Sequence, residues 1–261
     1  MNATITSPLG LRGCSPAAVR SPRRLAWRLA VGLTAAALAG ITASTATAAV
    51  ATHVPATQQV AVLLSAHRAH SEPEAGSPQV ALVPARRPIT GEQTTLPVTG
   101  SLTGADGVRW LQVMLPGRPN SSMGWIARQG TRELVTRWHL VVNLAARRLV
   151  AYRDGRVQRT FQAVVGKPST PTPTGQFFVE EALQMSRGEA GGPFALALSA
   201  RSDALQEFEG GPGQIAIHGR NNLGGTLGSA ASHGCIRLNT ASIDWLAARI
   251  GPGTPVTIYG G

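Results

Sequence analysis

Two adjacent residues, Asp154-Gly155, separate two strand-like runs and constrain the fold more than any other feature of the sequence. An Asp-Gly pair readily adopts the positive φ angles that a tight β-hairpin turn requires. The flanking runs, RRLVAYR at 147–153 and RVQRTFQAVVG at 156–166, have the length and the branched content of strands. LVVNL at 140–144 precedes them as a further strand. The sequence therefore predicts antiparallel β-structure in this half of the chain.

The remaining C-terminal sequence predicts further strands, a proline-rich loop and one helix. GKPSTPTPTG, at 166–175, contains three prolines and so cannot form a helix or a central strand. Apolar residues at i, i+3, i+4 and i+7 indicate a helix from Ile243 to Ile250, which Asn239 or Thr240 can cap. This predicted domain, 136–261, is therefore mainly β with one clear helix. Its other expected strands are QFFVEEAL at 176–183, QIAIH at 214–218 and PVTIYG at 255–260.

Residues 1–48 have the features of an export signal. Five arginines and no acidic residue occur there, an apolar stretch runs from about Leu29 to Ile41, and Ala46-Thr47-Ala48 fits a cleavage site. An uncleaved membrane anchor is the alternative, although the apolar stretch is shorter than the ~20 residues that span a bilayer. We expect an exported protein at the cell wall, in contact with the membrane only through this segment.

The sequence between the signal and the C-terminal domain carries weaker patterns. Residues 49–76 are expected to form a linker, with weak helical character around Gln58 to His67. Residues 77–134 contain strand and turn signals and predict a small β module. The run WLQVMLPGRPNSSMGWI within it resembles the end of a bacterial SH3-like unit. No motif there carries chemistry, so Trp110 and Trp125 are interpreted as core residues.

The distribution of charge argues against a nucleic-acid partner. The formal net charge of the whole chain is +11, but residues 49–261 carry only 19 basic against 13 acidic residues, a charge of +6. Much of the basicity thus belongs to the predicted export signal. The remaining positive charge suits an anionic matrix outside the cell.

A lone thiol is the strongest chemical signal in the sequence. Of two cysteines, only Cys235 lies beyond residues 1–48, in the motif SHGCIRLN. Such a leftover cysteine is either reactive or an inert buried residue. His218, seventeen positions earlier, could take the thiol proton and return it to a leaving amine, and Gly234 would let backbone N–H groups approach a reacting carbonyl. These residue types suit acyl transfer through a thioester, although their spacing alone does not establish the geometry.

The motif HG…SHGCIRLN, with VGKPSTPTPTG upstream, resembles the L,D-transpeptidase catalytic domain (YkuD-type) of bacterial cell-wall enzymes. The family signature is a histidine, a gap, and then [ST]-H-G-C-x-[RN]; thirteen residues separate His218 from Ser232 here. The resemblance covers roughly Trp138 to Tyr259 and implies a β-sandwich-like fold without a cofactor. It also implies cysteine-dependent transfer from peptidoglycan tetrapeptide stems to an amine, which gives 3→3 cross-links, and acylation by carbapenems.

The resemblance implies a role for each matching position. Cys235 is the expected nucleophile, His218 the general base, and Gly219, where many relatives have serine, the residue whose carbonyl orients that imidazole. His233 either supports the loop or is itself the base. Gly234 and Cys235 are expected to lend backbone N–H groups to an oxyanion hole.

Three more positions are expected to contact the substrate. Arg237 either pairs with a substrate carboxylate or braces the loop. Ser232 is interpreted as a hydrogen-bonding loop residue and not as a nucleophile, and Asn239 completes this group.

Other functions could use similar residues. A sortase-like enzyme also needs histidine, cysteine and arginine, but its arginine lies well after the cysteine, and it lacks SHGC. A zinc site of His218, His233 and Cys235 would lack a fourth ligand with suitable spacing. A non-catalytic wall-binding protein would have no need of the cysteine. The sequence therefore favours an enzyme without a metal, and it leaves the acceptor open: another stem, a protein, a D-amino acid or water.

Overall fold

A computed structural model of the protein describes residues 53–208 and 210–260, which belong to one compact unit. Strands dominate, and in these ranges there is a single helix, α1 (Thr240–Ala247). The mainly β fold class predicted from the sequence is therefore confirmed. The export signal predicted at 1–48 lies outside the described residues. Within the described part, no helix has the length and apolar character needed to cross a membrane.

Seven strands form one sheet, called here the N-terminal sheet. They are β1 (Gln58–Leu63), β2 (His67–His70), β3 (Gln79–Val83), β4 (Thr95–Thr103), β5 (Arg109–Met114), β6 (Met123–Ala127) and β7 (Thr131–Thr136). Their order across the sheet is β3-β2-β6-β5-β4-β1-β7. Its buried face builds an aliphatic core that includes Leu63, Leu96, Leu111 and Ile126.

The first two strands lie where the sequence analysis placed a linker with weak helical character. That interpretation was wrong, because β1 pairs with β4 on one side and with β7 on the other, and its Ala61 and Leu63 are fully buried. An apolar run as short as QVAVL does not distinguish strand from helix by its period. The segment is a strand because it pairs with β4 and β7, which are distant in sequence. The SH3-like character of 77–134 stays a prediction.

The remaining strands form the C-terminal sheet and a small two-stranded ladder. They are β8 (Trp138–Asn143), β9 (Arg148–Arg153), β10 (Arg156–Gln162), β11 (Val165–Gly166), β12 (Gly175–Gln184), β13 (Phe194–Arg201), β14 (Gln214–His218), β15 (Ala230–Ser232), β16 (Ile236–Arg237) and β17 (Pro255–Tyr259). The C-terminal sheet has the order β10-β9-β8-β17-β12-β13-β14-β16, and β11 pairs separately with β15.

Local sequence signals explain two features of this half. Asp154 and Gly155 adopt φ angles of 57° and 70°, as the predicted turn between β9 and β10 requires. Asn239 caps α1, since its side-chain oxygen accepts a hydrogen bond from the Ser242 N–H at 2.8 Å. The helix buries Ile243 in the core of the C-terminal sheet.

β12 contributes to both hydrophobic cores. Phe177 lies in the core of the C-terminal sheet, whereas Phe178 lies in that of the N-terminal sheet. Successive side chains of a strand point to opposite faces, so two adjacent phenylalanines can serve two cores. β12 is therefore the strand through which the two sheets share their buried surface.

Candidate active site

Parallel pairing of two short strands brings His218 beside the cysteine segment. His218 ends β14, Cys235 directly precedes β16, and Arg237 of β16 pairs with His218. The Leu238 N–H also donates to the His218 carbonyl at 2.9 Å. This pairing therefore brings together His218 and Cys235, which are seventeen positions apart and could not meet within a single strand or helix.

Cys235, His218, His233 and Arg237 line one cleft of about 640 Å³. Cys235 and His218 are both half-buried. Among the described residues that line the cleft none is acidic, so its electrostatic character suits an anionic ligand. The other lining residues are Met185, Ala190, Ala195, Phe208, Gln214, Asn222, Leu223, Gly224, Gly225 and Ala231.

The imidazole of His218 is oriented by its own neighbour. Its Nδ1 lies 2.6 Å from the Gly219 carbonyl oxygen. Because a carbonyl can only accept, Nδ1 carries the proton and Nε2 the lone pair. Burial lowers the pKa of His218, and the positive charge of Arg237 lowers it further, against the opposing effects of the Gly219 and Gly191 backbone groups. His218 is thus a neutral imidazole that can accept a proton at Nε2.

A glycine turn at the end of the β12–β13 loop closes over this histidine. A side chain at Gly219 would place its Cβ 1.9 Å from the Gly192 oxygen, so this position has no room for a residue larger than glycine. Gly191 has a φ of 84°, and a Cβ there would lie 2.8 Å from His218 Nδ1. The Gly191 N–H donates to the Asn221 oxygen at 2.8 Å, which fixes the turn against the segment after β14. The glycines therefore allow backbone to pack directly on the imidazole.

Ser232 holds the turn that contains the cysteine. It is fully buried, its hydroxyl donates to the Cys235 carbonyl at 2.6 Å, and it accepts a hydrogen bond from the Gly234 N–H at 3.1 Å. This agrees with a loop role and gives Ser232 no access to substrate. It also corrects one expectation, because the Gly234 N–H that was assigned to the oxyanion hole already donates to Ser232.

The proline-rich loop packs behind this turn. Thr172 donates to the Gly234 oxygen at 2.7 Å, and Thr170 donates to the Ser232 oxygen at 3.2 Å. The backbone N–H of Lys167 reaches the same Ser232 oxygen at 3.0 Å. The sequence analysis identified the loop by its prolines, but nothing in the pattern indicated which hydroxyl would contact which carbonyl.

His233 lies on the exposed side of the cysteine. Its Nε2 is 3.4 Å from the Lys167 ammonium, and its ring stacks on Phe208 with centroids 5.6 Å apart at 29°. An ammonium has only donors, so Nε2 of His233 acts as an acceptor towards a cation. His233 therefore contacts a cation and an aromatic ring, and its part in proton transfer stays a prediction.

Two predicted substrate ligands make structural contacts. Arg237 donates from Nη1 to the Gly224 oxygen at 2.9 Å, so it braces the glycine-rich segment while it also lines the cleft. Asn239 is the N-cap of α1 and is not among the residues that line the cleft, so its assignment to substrate binding stays a prediction. The cap explains its place in SHGCIRLN without a substrate.

Sequence reasoning missed Phe208. This residue lines the cleft beside Cys235 and stacks on His233, although 42% of its surface is exposed. The available signal was a single aromatic residue inside the polar, glycine-rich stretch QEFEGGPG. Among residues 53–208 and 210–260, no group of three or more histidine, cysteine or acidic residues is arranged to hold a metal ion.

Comparison with known proteins gives a family match for the C-terminal half of the chain. Residues 137–258 match the model of the YkuD family, the L,D-transpeptidase catalytic domain. The matched segment is a little under half of the chain. The resemblance inferred from SHGC and its upstream histidine is thereby confirmed.

Two curated relatives and one solved structure illustrate the similarity. YkuD of Bacillus subtilis (strain 168), named as an L,D-transpeptidase, is 34% identical over 121 residues, or 46% of this chain and 65% of the relative. L,D-transpeptidase 1 of Mycobacterium tuberculosis (strain ATCC 25618 / H37Rv) is 29% identical over 128 residues, or 46% and 49%. The catalytic domain from E. faecium L,D-transpeptidase acylated by ertapenem is 24% identical over 47% of this chain and 96% of that chain, with a TM-score of 0.35. The chain thus spans less than two thirds of the length of either curated relative.

Proposed function

We propose that this protein is a cysteine-dependent L,D-transpeptidase that acts on peptidoglycan tetrapeptide stems. One observation carries the proposal: the parallel pairing of β14 and β16 holds a neutral His218 and Cys235 in one cleft. Both residues lie within the segment that matches the family.

In the proposed first half-reaction, the Cys235 sulfur attacks the peptide carbonyl on the L-centre of the stem's diamino acid. His218 Nε2 takes the thiol proton, and the carbonyl oxygen becomes an oxyanion. The bond to the terminal D-Ala nitrogen then breaks, and His218 returns the proton to that nitrogen. D-Ala leaves, and the remaining stem is bound to Cys235 as a thioester.

In the second half-reaction, an amine attacks the thioester carbonyl. His218 accepts a proton from the attacking nitrogen and delivers it to the departing sulfur, which regenerates the thiol. With the side-chain amine of a second stem as acceptor, the product is a 3→3 cross-link. A protein amine, a free D-amino acid or water would give a different product from the same acyl-enzyme.

The charge of the cleft supports a peptide with free carboxylates as substrate. Stem peptides are anionic, and the described lining residues include Arg237 but no acidic side chain. A guanidinium can bind a carboxylate through two parallel hydrogen bonds. Arg237 already uses Nη1 for the Gly224 carbonyl, so substrate pairing would use its remaining donors.

Location and inhibition form part of the same proposal. The predicted export signal supports action outside the cell, at the wall, with membrane contact only through residues 1–48. Carbapenems are expected to acylate Cys235, because their strained lactam carbonyl is an acyl donor for a thiolate. Cell fractionation against a cytosolic marker would test the location.

The direct test is to incubate the purified protein with disaccharide-tetrapeptide and to identify the products by mass spectrometry. A dimer that has lost one D-Ala would support cross-linking between stems. A tripeptide product would assign water as the acceptor, and exchange of D-Ala for an added D-amino acid would assign that amine. Unchanged tetrapeptide under all these conditions would contradict the proposed function.

A further inference from the structure

We propose that Thr172 is a positioning residue for acyl transfer, because its hydroxyl sets the orientation of the peptide group between Gly234 and Cys235. The inference deepens the proposed transpeptidase function and rests on it. Thr172 lies in the proline-rich loop, on the buried side of the cysteine turn, and is 3% exposed. It has no access to substrate, so it acts through the backbone of the nucleophile.

Both hydrogen bonds of the Thr172 hydroxyl are determined. The Gly166 N–H donates to Thr172 Oγ1 at 2.9 Å, and Oγ1 lies 2.7 Å from the Gly234 carbonyl oxygen. An N–H can only donate and a carbonyl can only accept, so the single hydroxyl proton must point at Gly234. Gly166 is itself held by the pairing of β11 with β15. Thr172 is therefore a rigid donor that fixes the direction of one carbonyl.

That carbonyl determines where the N–H of Cys235 points. The cis peptide bonds of the described residues are both X-Pro bonds, so the peptide between Gly234 and Cys235 is trans. In a planar trans peptide the N–H and the C=O point in opposite directions. With the carbonyl directed at buried Thr172, the Cys235 N–H points away from the proline-rich loop. This orientation lets it donate to the oxyanion that forms when the sulfur of the same residue attacks a carbonyl carbon.

The preceding peptide cannot take over this role. The Gly234 N–H is directed at Ser232 Oγ, at 3.1 Å. Gly234 adopts a φ of 122°, and a Cβ there would lie 2.8 Å from Ile215 Cδ1, so this position of the turn requires glycine. Ser232 thus holds the N–H of Gly234, and Thr172 holds its carbonyl oxygen. Loss of the Thr172 hydroxyl would free the peptide that carries the Cys235 N–H.

The test compares two reactions of the same thiol in Thr172→Val, which keeps the size of the side chain but removes the hydroxyl. Acylation by a carbapenem passes through an oxyanion, whereas alkylation by iodoacetamide does not. We expect the acylation rate to fall by about 10- to 100-fold, since small misplacements of catalytic groups have effects of that order. The alkylation rate should stay within about twofold of wild type, because Cys235 and His218 are untouched.

Two further variants separate positioning from a general packing effect. Thr172→Ser retains the hydroxyl and should restore most of the acylation rate. Thr170→Val removes a buried hydroxyl from the same loop, but the Ser232 oxygen keeps its hydrogen bond from the Lys167 N–H at 3.0 Å, so acylation should fall much less. Thermal unfolding of each variant defines the temperature at which all of them are folded.

Several outcomes would overturn the inference. Equal losses in acylation and alkylation for Thr172→Val would show that the hydroxyl only supports the fold of the turn. An unchanged acylation rate in Thr172→Val, or no recovery in Thr172→Ser, would show that the hydroxyl does not position the Cys235 N–H. A wild-type protein that reacts with neither the carbapenem nor the tetrapeptide would contradict the proposed function itself, and the inference with it.

Discussion

The two sheets differ in where they bury polar groups. The N-terminal sheet and its loops, residues 53–136, contribute three buried polar or charged residues, whereas residues 137–260 contribute eleven. Several of the eleven, such as Thr170, Thr172 and Ser232, hold the backbone of the cysteine turn. Burial of such groups costs free energy unless every hydrogen bond is made. The C-terminal sheet therefore carries a polar framework that suits catalysis, while the N-terminal sheet has the simpler core of a supporting structure.

A buried ion cluster connects the two regions. Arg87, between β3 and β4, pairs with Glu180 of β12, and Arg201 of β13 lies 3.0 Å from the same carboxylate. Burial lowers the pKa of Arg201 to about 10, with a further contribution from Arg118. Gln214, which lines the cleft, donates to Glu180 at 3.3 Å. The N-terminal sheet thus supports the strands directly behind the cleft.

The largest effect is expected at the nucleophile. Cys235→Ala removes the sulfur and little volume, so it should abolish acyl transfer and carbapenem labelling while the free energy of unfolding changes little. Intact-mass spectrometry with a carbapenem should show one adduct on wild type and none on the variant. Turnover that persists in Cys235→Ala would mean that the chemistry lies elsewhere.

His218→Ala should come next, with a loss of about 10²- to 10⁴-fold in acylation rate, the usual range for a positioned acid–base group. Since its pKa is lowered, His218 stays neutral below the ~6.5 of an ordinary histidine, and the acidic limb of the wild-type rate profile should lie below that pH. The measurement is acylation and alkylation rate against pH for wild type, His218→Ala and His233→Ala. A wild-type profile in His218→Ala together with a shifted one in His233→Ala would reverse the two roles.

The sequence predicted the parts of the fold that depend on local signals. The Asp154-Gly155 turn, the loop with its three prolines and the capped helix each follow from the conformational preferences of a few adjacent residues. β13 was not predicted, because FALALSAR has no strand period of its own and becomes a strand through pairing with β12 and β14. Pairing between distant segments is what a single sequence does not display.

For the candidate site too, the sequence identified residues from local signals, whereas their contacts became visible only in the structure. Cys235 and His218 were identified from residue chemistry and a motif, and the parallel pairing that joins them required the structure. The Gly234 N–H and the Asn239 side chain show why a motif alone does not assign every role. Both groups form short-range hydrogen bonds, to Ser232 and Ser242, that compete with any role towards substrate. A motif names the residues of a turn but not the partner of each donor.

The third prediction concerns the buried ion cluster between the sheets and its contribution to stability. Arg87→Met leaves Glu180 and Glu181 buried without this partner and should lower the free energy of unfolding by about 3–5 kcal/mol. Arg137→Met breaks a pair with Asp154 whose side chains are 58% and 36% exposed, and it should cost at most ~1 kcal/mol. Chemical denaturation of both variants gives the comparison. Equal losses would show that the buried cluster does not stabilise the protein more than a surface pair.

The smallest effect is expected at His139, which lies in β8 of the C-terminal sheet. Its Nε2 lies 2.8 Å from Thr257 Oγ1, which itself donates to Gln176, so Nε2 carries the proton of a neutral ring. Burial lowers the pKa of His139 to about 4. The unfolded chain, with a histidine pKa of ~6.5, therefore binds more protons between these values, and the free energy of unfolding should fall by at most about 3 kcal/mol as the pH drops from 6.5 to 4. His139→Gln can still donate to Thr257 but cannot ionise, so its unfolding free energy should depend less on pH over this interval. Equal pH dependence in the two proteins would mean that the buried imidazole gains its proton in the folded state as easily as in the unfolded one.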